Sequence, residues 1–190
     1  MSAARHELIL GGQRSGKSRC AEARAVGWLA APGHSAVLLA TALAGDDEMR
    51  ERIQRHRLDR VRRVPELVTE EVPRELARTV DLHTAPDRLV VVDCLTLWLT
   101  NLLMPVSGLG IDGPAAGNAR RELCAALERA RGPVLLVSNE IGMGLSPMSA
   151  EARHFVDELG RLHQDVAAQC ERVTLMLAGI ELPVKRGPLA

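Results

Sequence analysis

Gly11-Gly12-Gln13-Arg14-Ser15-Gly16-Lys17-Ser18, written GGQRSGKS, is the stretch whose reading decides the fold. A short apolar run, Leu8 to Leu10, stands immediately before it, and a helical pattern over Lys17 to Ala30 follows immediately after. Strand, glycine-rich turn and helix in that order are the context in which G-x-x-x-x-G-K-[ST] binds phosphate. The glycines let backbone N–H groups turn inward around phosphate oxygens, and the helix N-terminus adds its positive end. Lys17 supplies a point charge for the terminal phosphates, and Ser18 offers a hydroxyl to Mg2+. Only two of the 24 basic residues are lysines, Lys17 and Lys185, so a lysine at the motif position is not background.

Working outward, Ala36 to Ala40, Leu89 to Val92, Val134 to Val137 and Val173 to Leu177 are short, nearly continuous apolar runs, as expected of parallel strands buried on both faces. Helical patterns lie between them at about Asp46 to Arg60, Arg74 to Leu82, Thr96 to Leu103, Ala119 to Arg131 and Ser149 to Gln169. Alternating strand and helix predict an α/β fold of the P-loop NTPase type, a doubly wound, mostly parallel sheet flanked by helices. Residues 1–190 read as a single domain without internal repeats, and Pro105 to Asn118, with four glycines and two prolines, reads as a flexible loop. A P-loop site needs an acidic residue at the end of a buried strand to hold the metal; Asp93, closing LVVVD, supplies it and is also placed to cap the following helix.

Composition narrows the function. The 24 basic and 24 acidic residues balance, so no global field draws the chain to nucleic acid or to an acidic membrane. Trp28, Trp98 and Phe155 are the only aromatics, too few for a stacking platform under single-stranded nucleic acid. The longest apolar stretch, Leu89 to Met104, is broken by Asp93, Thr96, Thr100 and Asn101 and falls short of the roughly 18 residues of a membrane span. The opening residues, with Arg5, His6 and Glu7 ahead of the first apolar run, do not read as a secretory signal. Cys20, Cys94, Cys124 and Cys170 are scattered, without a C-x-x-C pair, and read as reduced thiols of a cytoplasmic protein. A guanine-reading Asn-Lys-x-Asp is missing, since Asn139 is followed by Glu140, and so is a D-x-x-G metal strand. These features disfavour a GTPase switch; a small-molecule kinase and an ATP-driven motor on nucleic acid stay open, and neutrality with so few aromatics favours the small molecule.

Arg50 to Arg63, RERIQRHRLDRVRR, carries seven arginines, two acids and one histidine, His56. On a helix Met49, Ile53, His56 and Arg60 share a stripe, so the imidazole is expected beside the apolar face. Two readings fit this spacing: a solvated basic helix with an incidental histidine, or a polyphosphate cradle presenting a nucleophile. From the residues alone, a P-loop kinase without a second activity and a non-catalytic nucleotide-binding protein both remain open.

Four blocks, in order, carry a resemblance over nearly the whole chain: GGQRSGKSR, ATALAGDDEMRERIQRHR, VVVDCLTLWLTNLL, and VSNEIGMGLSPMSAEARHFVDELGRLHQ followed by LMLAGI. Together they resemble the bifunctional adenosylcobinamide kinase / adenosylcobinamide-phosphate guanylyltransferases of cobalamin biosynthesis. The resemblance implies phosphorylation of adenosylcobinamide by ATP or GTP with Mg2+, then transfer of GMP from GTP to adenosylcobinamide phosphate through a GMP-histidine intermediate at His56. It carries nucleotide contacts to Gly12, Gln13, Arg14, Ser15, Gly16, Lys17, Ser18 and Arg19, to Thr41, Ala42 and Leu43, to Arg57, Leu58, Asp59 and Arg60, and to Glu71 and Asp93, with Ser18 and Asp93 at the metal. It also implies a symmetric homo-oligomer, a trimer in the simplest case. Ser138 to Pro147, SNEIGMGLSP, is expected at the carboxyl edge of the sheet and fits either substrate binding or a tight turn. His154 and His163 are nine residues apart, do not share a helix face, and read as structural.

Overall fold

The computed structural model describes residues 6–186, the Arg52 side chain excepted, so Arg5 and the last four residues lie outside it. Along the chain run β1 (His6–Gly11), α1 (Lys17–Leu29), β2 (Ser35–Ala40), α2 (Asp47–Arg63), β3 (Val68–Glu71), α3 (Leu76–His83) and β4 (Arg88–Asp93). There follow α4 (Leu95–Leu103), α5 (Gly113–Arg129), β5 (Val134–Asn139), α6 (Ala150–Gln169), β6 (Arg172–Leu177) and β7 (Ile180–Lys185). All seven strands join one sheet in the order β3-β2-β4-β5-β1-β6-β7; only β7 is antiparallel to its neighbour. The five apolar runs of the sequence are β1, β2, β4, β5 and β6, and the α/β architecture expected from them is the one observed.

Alternation along each strand divides the core between two faces. Leu8, Leu39, Val90, Val92 and Leu136 pack with Leu76, Leu95, Leu99, Leu123, Leu127, Leu159 and Leu162 from α3 to α6. Ile9, Leu38, Val91, Leu135 and Val137 face the other way, onto Cys20, Ala21 and Ala25 of α1 and onto Val64 and Leu67 beyond α2. Helices on both faces bury both sides of the central strands, which is why those strands carry hydrophobic residues without polar alternation.

The two strands not anticipated are both at edges. β3 is four residues, VTEE, mostly exposed, and β7 is exposed throughout and contains Pro183. An edge strand with a polar face, or with proline where no ladder donor is needed, lacks the doubly buried pattern. β6 and β7 are joined through Ala178 and Gly179, both at positive φ (51° and 81°), the conformation of the two-residue turn that matches strand twist.

One expectation is corrected. Pro105 to Asn118 is not loop throughout, because α5 begins at Gly113. Asp112 caps it by accepting from Ala115 N at 2.9 Å, and Pro114 falls in the first turn, where a missing N–H costs nothing. Ala116 and Gly117 are buried, so tertiary packing outweighs the glycine content.

Candidate active site

The loop between β1 and α1 is built by backbone constraints that leave its N–H groups available. A Cβ at Gly11 would lie 2.5 Å from Met176 O and 2.6 Å from Ser15 Oγ, so only glycine fits there. Gly16 ends the turn at φ 101° and stands at the N-cap of α1 with no side chain capping it. The loop is pinned from both sides: Glu140 N donates to Gly11 O at 3.0 Å, and Gly179 N donates to Ser15 O at 3.0 Å. Lys17 is buried, and its Nζ donates to Gly12 O at 2.7 Å, which folds the ammonium back over the loop. Ser15 Oγ is buried without a partner among the described residues, a polar atom waiting for one in the turn itself. Gly12, Gln13, Arg14 and Arg19 are exposed around this rim.

Ser18, in the first turn of α1, donates from Oγ to Asp93 Oδ2 at 3.2 Å, so the two residues assigned to the metal meet although 75 positions apart in sequence. This pairing follows from topology. Asp93 ends β4 on the face that carries α1, two strands away from β1, with β5 between them. A hydroxyl and one carboxylate are hard oxygen donors, a set whose chemistry would suit Mg2+. Among the described residues no group of three or more His, Cys, Asp or Glu side chains could hold a metal ion.

Arg60 is the third member. It is 6% exposed; its Nη2 lies 4.0 Å from Asp93 Oδ2, its Nη1 donates to Thr69 Oγ1 at 3.1 Å, and its Nε is buried with no partner among the described residues. Burial lowers its pKa, an effect that Asp93 opposes. A buried guanidinium with one donor unsatisfied has the chemistry to take an anion, and it stands beside the carboxylate that Ser18 touches.

α2 is moored through its second half. Arg57 pairs with Glu71 on β3, Arg60 reaches Asp93 and Thr69, and Arg63 Nη1 pairs with Glu22 of α1 at 2.8 Å. Arg63 also lies 3.6 Å from Asp59. At its start Asp46 accepts from Met49 N at 2.7 Å and caps the helix. Met49 and Ile53 are half-buried and Arg60 is buried, but His56 is exposed, so the imidazole does not lie against an apolar face as the stripe suggested. It sits four residues before Arg60, a rise of about 6 Å along the helix.

The other assigned residues scatter. Thr41 is fully buried, with its hydroxyl donating to Cys94 O (2.7 Å) and accepting from Cys94 N (2.9 Å) and its carbonyl accepting from Asn101 Nδ2 (2.7 Å). In this arrangement Thr41 holds the end of β2 to the end of β4. Ala42 and Leu43 lie in the loop beyond, Leu58 is exposed on α2, and Glu71 is occupied by Arg57 at the sheet edge.

A polar chain at the end of β5 is not evident from the sequence. His163 Nε2 bonds Ser138 Oγ (2.7 Å), Ser138 Oγ bonds Thr96 Oγ1 (3.0 Å), and Thr96 Oγ1 accepts from Asn139 N (2.8 Å). Glu140 Oε2 lies 3.6 Å from His163 Nδ1, and Glu140 Oε1 accepts from Gly142 N at 2.7 Å. Burial pushes the His163 imidazole below its usual range, with Glu140 acting against it. The signal was His163 itself, a polar residue in the buried row Leu159, Leu162, Val166 of α6. Beyond Glu140 the loop exposes Met143, Leu145 and Met148, and of these Leu145 lines, with Arg153 and Asp157, a cavity of about 230 Å³.

The family described as cobinamide kinase / cobinamide phosphate guanyltransferase matches residues 7–184. A bifunctional adenosylcobalamin biosynthesis protein CobP from Pseudomonas aeruginosa is 45% identical over 183 residues, covering 96% of this chain and 99% of its own length. Bifunctional adenosylcobalamin biosynthesis proteins CobU from Salmonella typhimurium and Escherichia coli are each 36% identical, covering 94% of this chain and 98% of their own lengths.

Proposed function

This chain belongs to the cobinamide kinase / cobinamide phosphate guanyltransferase family and is an enzyme of cobalamin biosynthesis, and we propose that both its reactions run at the carboxyl edge of the sheet around Ser18, Asp93 and Arg60. In the first, the hydroxyl oxygen of adenosylcobinamide attacks the γ-phosphorus of ATP or GTP. The bond to the β–γ bridging oxygen breaks, the nucleoside diphosphate leaves, and the hydroxyl proton passes to water. Backbone N–H groups of Gly12 to Arg19 and the Lys17 ammonium hold the phosphates in line. Ser18 and Asp93 would hold Mg2+, which when bound neutralises charge on the phosphate oxygens.

In the second reaction a neutral His56 ring nitrogen attacks the α-phosphorus of GTP and pyrophosphate leaves, giving a GMP-histidine. A phosphate oxygen of adenosylcobinamide phosphate then attacks the same phosphorus, the P–N bond breaks, and adenosylcobinamide-GDP is released with His56 restored. Arg60, one turn away, faces the leaving pyrophosphate, and Arg57 lies between them. The apolar loop after Glu140, with Met143, Leu145 and Met148, is the surface assigned to the corrinoid. The same proposal takes the enzyme as a cytoplasmic homo-oligomer, a trimer, acting on small molecules rather than nucleic acid. Among the described residues no helix is long and apolar enough to cross a membrane.

The observation that carries this reading is the meeting of Ser18 and Arg60 at Asp93, with Arg60 standing on the helix that bears His56. Intact mass after incubation with Mg-GTP alone tests it. An acid-labile, GMP-sized adduct is expected in wild type and not in His56→Ala. A wild type that binds GTP and forms no adduct removes the covalent route.

A further inference from the structure

The strand between the phosphate loop and the acidic strand ends in Asn139, the second residue of the Ser138 to Pro147 stretch, whose side chain has no specific contact assigned to it. β5 separates β1 from β4, and its last residue, Asn139, stands in register with Gly11, while Val137 stands in register with Asp93. Neighbouring strands lie about 4.8 Å apart, so the end of β5 occupies the gap across which Lys17, Ser18 and Asp93 face one another.

Alternation decides which way Asn139 points. Leu135 and Val137 pack on the α1 face with Ile9, Val91, Cys20 and Ala21, whereas Leu136 packs on the opposite face. Asn139 shares parity with Leu135 and Val137, just as Asp93 shares parity with Val91. Both side chains therefore emerge on the α1 side, where that helix begins with Lys17 and Ser18. Asn139 is partly exposed, and its carboxamide has no hydrogen-bond partner among the described residues.

The backbone beneath it is held with unusual care. Asn139 N donates to Thr96 Oγ1, which bonds the fully buried Ser138 Oγ, which in turn bonds His163 Nε2. One residue later Glu140 N is fixed to Gly11 O. A chain of three polar side chains inside an apolar core is costly unless fully bonded, and here it is spent on fixing the carboxyl end of β5.

We propose that Asn139 is a further substrate-contacting residue of the phosphoryl transfer, donating from Nδ2 to a γ-phosphate oxygen of the bound nucleoside triphosphate. In that step the acceptor oxygen bonds to the γ-phosphorus as the bridging bond breaks, and charge is spread over the equatorial oxygens that a fixed amide donor stabilises. The Thr96–Ser138–His163 chain acts through Asn139 and is a positioning device. This inference rests on the kinase reading above.

The test uses the full chain with Asn139→Ala and Asn139→Asp, measuring Mg-ATP-dependent phosphorylation of adenosylcobinamide and the ratio of triphosphate to diphosphate affinity. In Asn139→Ala, kcat falls about 10²-fold and the preference for triphosphate shrinks toward none, while diphosphate affinity stays within about threefold of wild type. Asn139→Asp, nearly isosteric, turns a negative charge on the phosphates and binds triphosphate more weakly than the alanine variant. Wild-type kcat and affinity ratio in Asn139→Ala overturn the proposal; so do equal losses of triphosphate and diphosphate affinity in both variants, which mark a packing role. If alanine does not fold, the Asp variant alone decides through the affinity ratio. A wild type that binds nucleotide without phosphorylating the corrinoid refutes the kinase reading, and the affinity ratio still judges Asn139.

Discussion

Replacing Arg60 with methionine separates the stability of this fold from its chemistry. Arg60 is 6% exposed, and three donor groups have unequal partners: Thr69 Oγ1 at 3.1 Å, Asp93 Oδ2 at 4.0 Å, and none for Nε. A hydrogen bond from a charged group contributes about 1.5–3 kcal/mol, while taking a cation out of water costs several kcal/mol. With one full hydrogen bond, one loose ion pair and one orphaned donor, these terms nearly cancel. Methionine keeps the buried stem and removes the charge, so Arg60→Met is expected to change stability by no more than about 1 kcal/mol, about 2–4 °C in Tm for a chain of this size. Function should respond very differently, because in the proposed reaction the anion that completes Arg60 is the triphosphate. Pyrophosphate release from GTP in the presence of adenosylcobinamide phosphate should fall about 10²–10³-fold, and the rise in Tm on adding Mg-GTP should shrink. Urea unfolding, thermal unfolding with and without Mg-GTP, and a pyrophosphate assay give the three numbers. A loss above about 3 kcal/mol with unchanged GTP response would make Arg60 a structural ion pair and refute the reasoning.

Lys17→Ala should weaken triphosphate binding at least about 10²-fold and abolish both reactions; unchanged affinity by calorimetry contradicts the loop assignment. Gly11→Ala drives a methyl into the Met176 carbonyl, which cannot rotate away, and should cost about 1–3 kcal/mol in urea unfolding as well as nucleotide affinity. Burial depresses the His163 pKa, so the unfolded chain takes up that proton first: stability from this site is intact above about pH 6.5 and declines as pH falls below it, by at most about 1.4 kcal/mol per pH unit. Comparing urea midpoints at neutral and mildly acidic pH in wild type and His163→Gln should show the smaller slope in the variant. Burial raises the Cys20, Cys94 and Cys170 thiols to about 12, so iodoacetamide at pH 8 should leave all three unmodified in the native protein and label four cysteines after denaturation.

How much of this was legible in the sequence depended on whether the information is local. GGQRSGKS announces its own strand, turn and helix, and the five central strands announce themselves because burial on both faces forces continuous apolar runs. Edge strands β3 and β7 carry no such mark, since one side of each meets water. The start of α5 was hidden by the glycines of residues 105–118, whose local propensity is overruled by the Asp112 cap and by burial of Ala116 and Gly117.

The site divides along the same line. Asp93 was readable because an acid ending an apolar strand is a local pattern, but its contact with Ser18 depends on β4 standing two places from β1. Thr41, to which the resemblance carries a nucleotide contact, directs its hydroxyl proton at Cys94 O and accepts from Cys94 N, a pair of bonds that ties two strand ends together and that the sequence does not show. Asn139 shows why register matters more than identity. An asparagine at a strand end reads as turn chemistry until the sheet order puts it between the phosphate loop and the acid, and parity turns its amide toward the phosphates rather than toward the core. A one-residue shift of β5 would exchange Asn139 with Ser138, bury the amide and aim the serine hydroxyl at the nucleotide; the His163–Ser138–Thr96 bonds and the Glu140–Gly11 bond oppose that shift. The buried polar chain behind the site is therefore best understood as the device that fixes register at a strand whose alternation, like that of β4 for Asp93, sets a side chain for the proposed phosphoryl transfer.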